Sequence, residues 1–121
     1  TGGKGVDVVY DSVGHTTFER SISTLGRRGH LVSFGQSSGS VDNFKPAVLS
    51  QNGSLYLTRP VLSDYIADRK ELTWRSQELF RWVESGQLDI LVHQEYPLED
   101  ARDAHTALSS RATTGKLILT I

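Results

Sequence analysis

Short β-branched runs alternate with helical spacings along the first half of the chain. Val6-Asp7-Val8-Val9-Tyr10 reads as a strand, and Asp11-Ser12-Val13-Gly14 ends it in a turn. Phe18, Ile22 and Leu25 then fall at i, i+4 and i+7, which places them on one helical face. A Thr supplies the expected N-cap and Gly26 the stop, with Arg27 and Arg28 at the negative end of the helix dipole. A second strand, His30–Gly35, closes in Gln36-Ser37-Ser38-Gly39-Ser40. Strand, helix and strand with few residues between them predict a βαβ unit with a right-handed crossover and parallel neighbours. Pro46–Gly53 predicts a short helix with Pro in its first turn, and Ser54–Thr58 a third strand stopped by Arg59-Pro60.

Beyond Pro60 the period lengthens. Leu72, Leu79, Phe80 and Val83 mark the apolar side of a long helix ending at Ser85-Gly86, with Trp74 and Trp82 expected half-buried on its flank. Leu88–Val92 reads as a short strand. Pro97-Leu98-Glu99-Asp100 opens a further helix with acids in its first turn, lined on one side by Ala101, Ala104, His105 and Leu108. Leu117–Ile121 is a terminal strand. The predicted fold class is α/β: the second half of a Rossmann-type doubly wound parallel sheet, followed by C-terminal helices and a terminal strand. The expected organisation is sheet over about 5–60 and the C-terminal elements over 61–121. The phosphate loop of such a sheet belongs to its first half, and no G-x-G-x-x-G follows a strand here. Half a sheet also leaves an unpaired strand edge.

Composition narrows the partners more than the fold. The 121 residues suit one ordinary soluble domain, and a formal net charge of −1 gives no attraction to nucleic acid or to a membrane surface. No apolar run approaches the roughly 20 residues a membrane span needs. Cysteine is absent, which favours a cytoplasmic origin, and His15, His30, His93 and His105 share no ligand spacing, so no metal site is expected. No G-x-S-x-G elbow arranges Ser, His and Asp for hydrolysis. Methionine is also absent, position 1 included, and Thr-Gly-Gly-Lys-Gly opening directly onto a strand looks like a loop cut open. The chain is therefore expected to be part of a longer protein.

Five strings, in register over essentially the whole chain, carry a family resemblance. They are V-D-V-V-Y-D-S-V-G, R-R-G-H-L-V-S-F-G-Q-S-S-G, G-S-L-Y-L-T-R-P, Y-P-L-E-D-A-R-D-A-H and S-S-R-A-T-T-G-K. Together they resemble the zinc-independent, zeta-crystallin-like quinone oxidoreductases of the medium-chain dehydrogenase/reductase superfamily, over about the last third of such an enzyme. The resemblance implies hydride transfer from NADPH to a quinone in a protein that dimerises by pairing the 54–59 edge strand with its twin. It implies that Ser12, Val13 and Gly14 lie against the cofactor. Phe34, Gly35, Gln36 and Ser37 would meet the nicotinamide ribose and carboxamide, Thr58 and Arg59 would offer backbone groups to the carboxamide, and Arg111 would reach back toward the dinucleotide. Lys116 stands where the family tails carry Ser, and it is given no role. No catalytic residue is expected within the chain, which alone is expected to be inactive.

Read on their residues alone, these segments have plainer alternatives. D-S-V-G is a strand-to-helix turn with a side-chain cap, the Gly/Ser loop an ordinary turn, 54–59 a plain strand, and Arg111 a solvated helix cap. A zinc-free enoyl reductase of the same superfamily, or a non-catalytic oligomerisation module, are the competing functions.

Overall fold

The computed structural model describes all residues from Thr1 to Ile121, in two compact units, Thr1–Ala67 and Asp68–Ile121. The first unit carries the expected parallel sheet. Strands β1 (Val6–Asp11), β2 (Leu25–Ser33) and β3 (Tyr56–Thr58) pair in that order, all parallel. Helix α1 (Phe18–Thr24) is the crossover between β1 and β2, and the short α2 (Ala47–Gln51) precedes β3. A single turn, α3 (Leu62–Tyr65), follows it.

The alternation of the strands decides where the core sits. Leu31, with no exposed surface, pairs with Val9 on one side and Leu57 on the other. It packs in a cluster with Phe18 and Ile22 of α1, Leu25 and Leu55. Phe44, from the segment before α2, meets Phe18 edge-on with ring centroids 5.6 Å apart, a favoured aromatic geometry. The opposite face of the sheet is open. There Tyr10 is exposed, and His30 stacks on its register partner Tyr56 at 4.5 Å between centroids.

Two local readings need correction. Gly26 does not stop a helix: α1 ends at Thr24 and β2 begins at Leu25, so Arg27 and Arg28 lie in the strand and no base occupies the last helical turn. The register slips between Val6/Leu25 and Val8/His30, so Gly26-Arg27-Arg28-Gly29 forms a bulge. Within it Arg28 takes a positive φ of 63° and donates its N–H to Gly53 O. Thr17 is the N-cap residue, but its side chain makes no cap bond to the helix.

The second unit holds α4 (Arg69–Glu84), β4 (Val92–Pro97), a 3-10 turn (Leu98–Asp100), α5 (Ala101–Ser109) and β5 (Lys116–Thr120). Asp68 caps α4 by accepting from the Glu71 N–H at 2.8 Å. β4 and β5 are parallel and α5 crosses between them, a second βαβ unit. The strand expected at Leu88–Val92 is displaced: it starts where that run ends, and Ile90 and Leu91 are exposed. The buried line of α5 is Ala104 flanked by the half-buried Ala101 and Ala107, while His105 and Leu108 are exposed. Leu72, Leu79, Phe80 and Val83 on α4 are exposed too, as are Trp74, under the Arg75 guanidinium, and Trp82.

Candidate functional site

The carboxyl ends of the three parallel strands are level. Asp11 pairs with Ser33, and Val32 with Thr58, so the loops that leave β1, β2 and β3 emerge along one edge of the sheet. Ligands of open α/β sheets bind at such an edge. The expected residues Ser12, Val13, Gly14, Phe34, Gly35, Gln36, Ser37, Thr58 and Arg59 all belong to these loops or strand ends. Arg111 belongs to the second unit, in the turn after α5, where its N–H donates to Leu108 O and its φ is 60°.

The first two loops are knitted together by their main chains. Phe34 and Gly35 donate their N–H groups to Asp11 O at 2.9 and 3.2 Å, and Ser38 N–H donates to Val13 O at 2.9 Å. The Ser38 hydroxyl also donates to Val13 O and accepts from Thr16 N–H. His15 N–H reaches Gly39 O. The N–H groups of residues 34, 35, 37, 38 and 39 close onto protein carbonyls. The glycines serve the same contact. Gly14, with φ +86°, packs against the backbone of Gln36 and Gly39, and Gly35 against that of Ser12. What these loops turn outward is side chains: the exposed Ser12 and Gln36, and the half-exposed ring of Phe34.

Asp11, absent from the sequence-derived set, is the centre of this arrangement. Its side chain is only 4% exposed. Oδ1 accepts from Val13 N–H at 2.8 Å, Gly14 N–H at 3.0 Å and the Thr17 hydroxyl at 2.8 Å, and Oδ2 from the Ser21 hydroxyl at 2.8 Å. Burial pushes the carboxyl's pKa up. The N–H groups of Gly14 and Val13 and the hydroxyls of Ser21 and Thr17 outweigh burial and hold it below the ordinary carboxylate value. A lowered folded-state pKa means that the stabilisation is complete above the unfolded value, about pH 4, and is lost as pH falls through the folded one. The stability gap between the wild type and Asp11→Asn is therefore expected to be constant from neutral pH down to about 5 and to narrow below about 4. Denaturant midpoints across that range check it, and a gap that widens in acid would contradict it.

Two hollows flank the strand ends and share Arg59. One, of about 470 Å³, is lined by Phe34, Arg59, Pro60, Val61, Leu62 and Tyr65. The other, of about 280 Å³, reaches Ser33, Gly35, Gln36, Ser40 and Leu57 above the Phe18–Phe44 pair. Aromatic walls beside a cation suit a planar ligand that also carries negative charge. No three His, Cys, Asp or Glu side chains come together to hold a metal ion, and the chain has no Cys. No helix is long and apolar enough to cross a membrane.

Comparison with known proteins agrees with this architecture. The profile of the family described as zinc-binding dehydrogenase matches residues 1–119. Quinone oxidoreductase 1 of Escherichia coli is 54% identical over 121 residues, covering 98% of this chain and 37% of that protein. A 2-haloacrylate reductase from a Burkholderia species is 41% identical, covering 98% of this chain and 36% of the relative. The crystal structure of E. coli quinone oxidoreductase complexed with NADPH superposes with a TM-score of 0.90 at 53% identity, covering 99% of this chain and 37% of that one. The chain thus spans little more than a third of the length of these relatives. It belongs to the zinc-binding dehydrogenase family, and its parallel α/β fold is the C-terminal, Rossmann-like part of the quinone oxidoreductase architecture.

Proposed function

We propose that this chain forms the nicotinamide and ribose side of the NADPH site in a cytoplasmic NADPH-dependent quinone oxidoreductase. The observation that carries the reading is the level edge of Asp11, Ser33 and Thr58, with its loops, in a chain 53% identical to a quinone oxidoreductase complexed with NADPH. When bound, the dinucleotide supplies the hydride. The chain's own residues bind and orient. Ser12, Val13 and Gly14 form one wall. Phe34, Gly35, Gln36 and Ser37 form the second, and Thr58 with Arg59 the floor where the two hollows meet. Phe34 and Tyr65 give flat apolar surfaces that exclude water beside the Arg59 charge. None of these groups takes part in bond making, so no catalytic residue is assigned to the chain, and the acceptor is a quinone bound elsewhere in the protein. Zinc has no role in this reading. β3 lies at the edge of its sheet, which suits strand pairing across a homodimer.

The decisive assay uses the intact protein: NADPH titration, then NADPH oxidation with p-benzoquinone and, separately, with a 2-haloacrylate. Turnover with the quinone alone is expected. Turnover with the haloacrylate alone would favour a second reading, reduction of an activated alkene as in an enoyl reductase. The 41% identity to a 2-haloacrylate reductase is the observation behind it. Failure to bind NADPH would sink both and leave a non-catalytic oligomerisation module.

Arg111 gives a separate test. It sits one residue beyond the C-cap of α5 with φ 60°, where helices usually place glycine, a conformation costing a bulky side chain roughly 1 kcal/mol. Arg111→Gly is expected to keep stability within about 1 kcal/mol of wild type while weakening NADPH binding about ten-fold, the loss of one charge-assisted hydrogen bond. Calorimetric titration beside a thermal melt reads both. Unchanged affinity would remove Arg111 from the site.

A further inference from the structure

We infer that Asp11 is the positioning residue of the cofactor edge, holding the loops after β1 and β2 in the single arrangement that a dinucleotide meets. The inference rests on the NADPH reading above for its ligand, though not for its geometry.

One residue reaches both loops by two different routes. Its carboxylate takes the N–H groups of Val13 and Gly14 and the hydroxyls of Thr17 and Ser21, which ties the first loop to the start of α1. Its main-chain carbonyl takes the N–H groups of Phe34 and Gly35, which starts the second loop. Ser38 completes the frame from the far side through Val13 O and Thr16 N–H. Val13 consequently has both its amide and its carbonyl committed, and so does Gly14, whose carbonyl accepts from Thr17 and Phe18 N–H. The turn cannot rotate to follow a ligand. It is set in advance, and the side chains of Ser12 and Val13 point where Asp11 leaves them.

A carboxylate suits this work because it only accepts, and every group turned toward it is a donor. A buried carboxylate is also costly to keep without such donors. Asparagine has nearly the same shape. It retains an acceptor for the two amides, and the Thr17 and Ser21 hydroxyls can rotate to accept from its amino group. Alanine retains none of the side-chain acceptors, only the main-chain carbonyl.

The test compares wild type, Asp11→Asn and Asp11→Ala in the intact protein, at a temperature where melting curves show each to be folded. Direct NADPH titration of the wild type tests the functional reading by itself. The KM for NADPH is expected to rise about ten-fold in Asp11→Ala and to recover most of the way in Asp11→Asn, with the KM for benzoquinone unchanged. Hydrogen exchange gives a readout independent of cofactor. Amides 13 and 14 should lose protection in Asp11→Ala and regain it in Asp11→Asn, whether or not the wild type binds NADPH, while amides 34 and 35, whose acceptor is the main-chain carbonyl that every variant keeps, should lose less. Equal NADPH KM in all three proteins would overturn the inference. So would unchanged protection at 13 and 14, or a loss spread evenly over the sheet.

Discussion

Replacing Leu31 with alanine is expected to cost about 3–4 kcal/mol of stability, among the largest effects of any single side-chain truncation in the chain. Leu31 lies on the central strand of three, between Val9 and Leu57, and is completely enclosed by the cluster of Phe18, Ile22, Leu25 and Leu55. A backbone hydrogen-bonded on both sides cannot move in to fill the space that the lost methyl groups leave. The cavity term therefore adds to the transfer term. Against a total stability of about 5–15 kcal/mol for a typical domain, that is a large fraction. Urea unfolding of the intact protein should show a lower midpoint at unchanged slope, while Leu31→Met, which keeps the volume, should lose less than about 1.5 kcal/mol. A loss below about 1 kcal/mol for alanine would mean that the centre of the sheet is not the centre of the core.

That centre was legible in the sequence, for a physical reason. A strand buried on one face alternates, and a helix lying on it repeats every three to four residues. His30-Leu31-Val32 and Phe18/Ile22 carry those two periods openly, while Leu25, which the same spacing put on the helix, opens β2 and still joins the core. β4 did not yield to the same logic. Leu88–Val92 is apolar but leaves Ile90 and Leu91 exposed, and the strand proper is the polar V-H-Q-E-Y-P. Its place is fixed by the register with Leu117–Leu119 and the length of the α5 crossover, which no window of local hydropathy contains. The G-R-R-G bulge misled in a similar way, because a glycine followed by two arginines is also how a helix ends.

The strand-end loops were found from their motifs, but the residue that holds them was not. In isolation Asp11 looks like the first residue of a turn. Its partners stand two, three, six and ten residues further on, and Thr17 and Ser21 are an i, i+4 pair of hydroxyls on the helix that follows. A polar pair at helical spacing, just downstream of an acid that ends a strand, was the available signal. The apolar face of the same helix carries the stronger periodic signal.

Gly35→Ala is the second large expected effect, and it acts through the backbone. Gly35 needs no positive φ. Its constraint is proximity, because a Cβ built there would fall onto the Ser12 carbonyl, within 2.7 Å of that residue's carbonyl carbon and Cα. No rotamer relieves a clash with main chain, so the second loop must lift away from the first. Lifting breaks the Phe34 and Gly35 bonds to Asp11 O and strains the Ser38 bonds to Val13 O. A loss of about 3 kcal/mol is expected, at the upper end for overpacking, with NADPH affinity falling further than stability because both walls of the proposed site shift. The neighbouring Gln36→Ala, at an exposed position, should stay within about 0.5 kcal/mol of wild type in the same melts. Should Gly35→Ala melt and bind NADPH like the wild type, the two loops would not be in the contact described, and the frame built on Asp11 would fall with it.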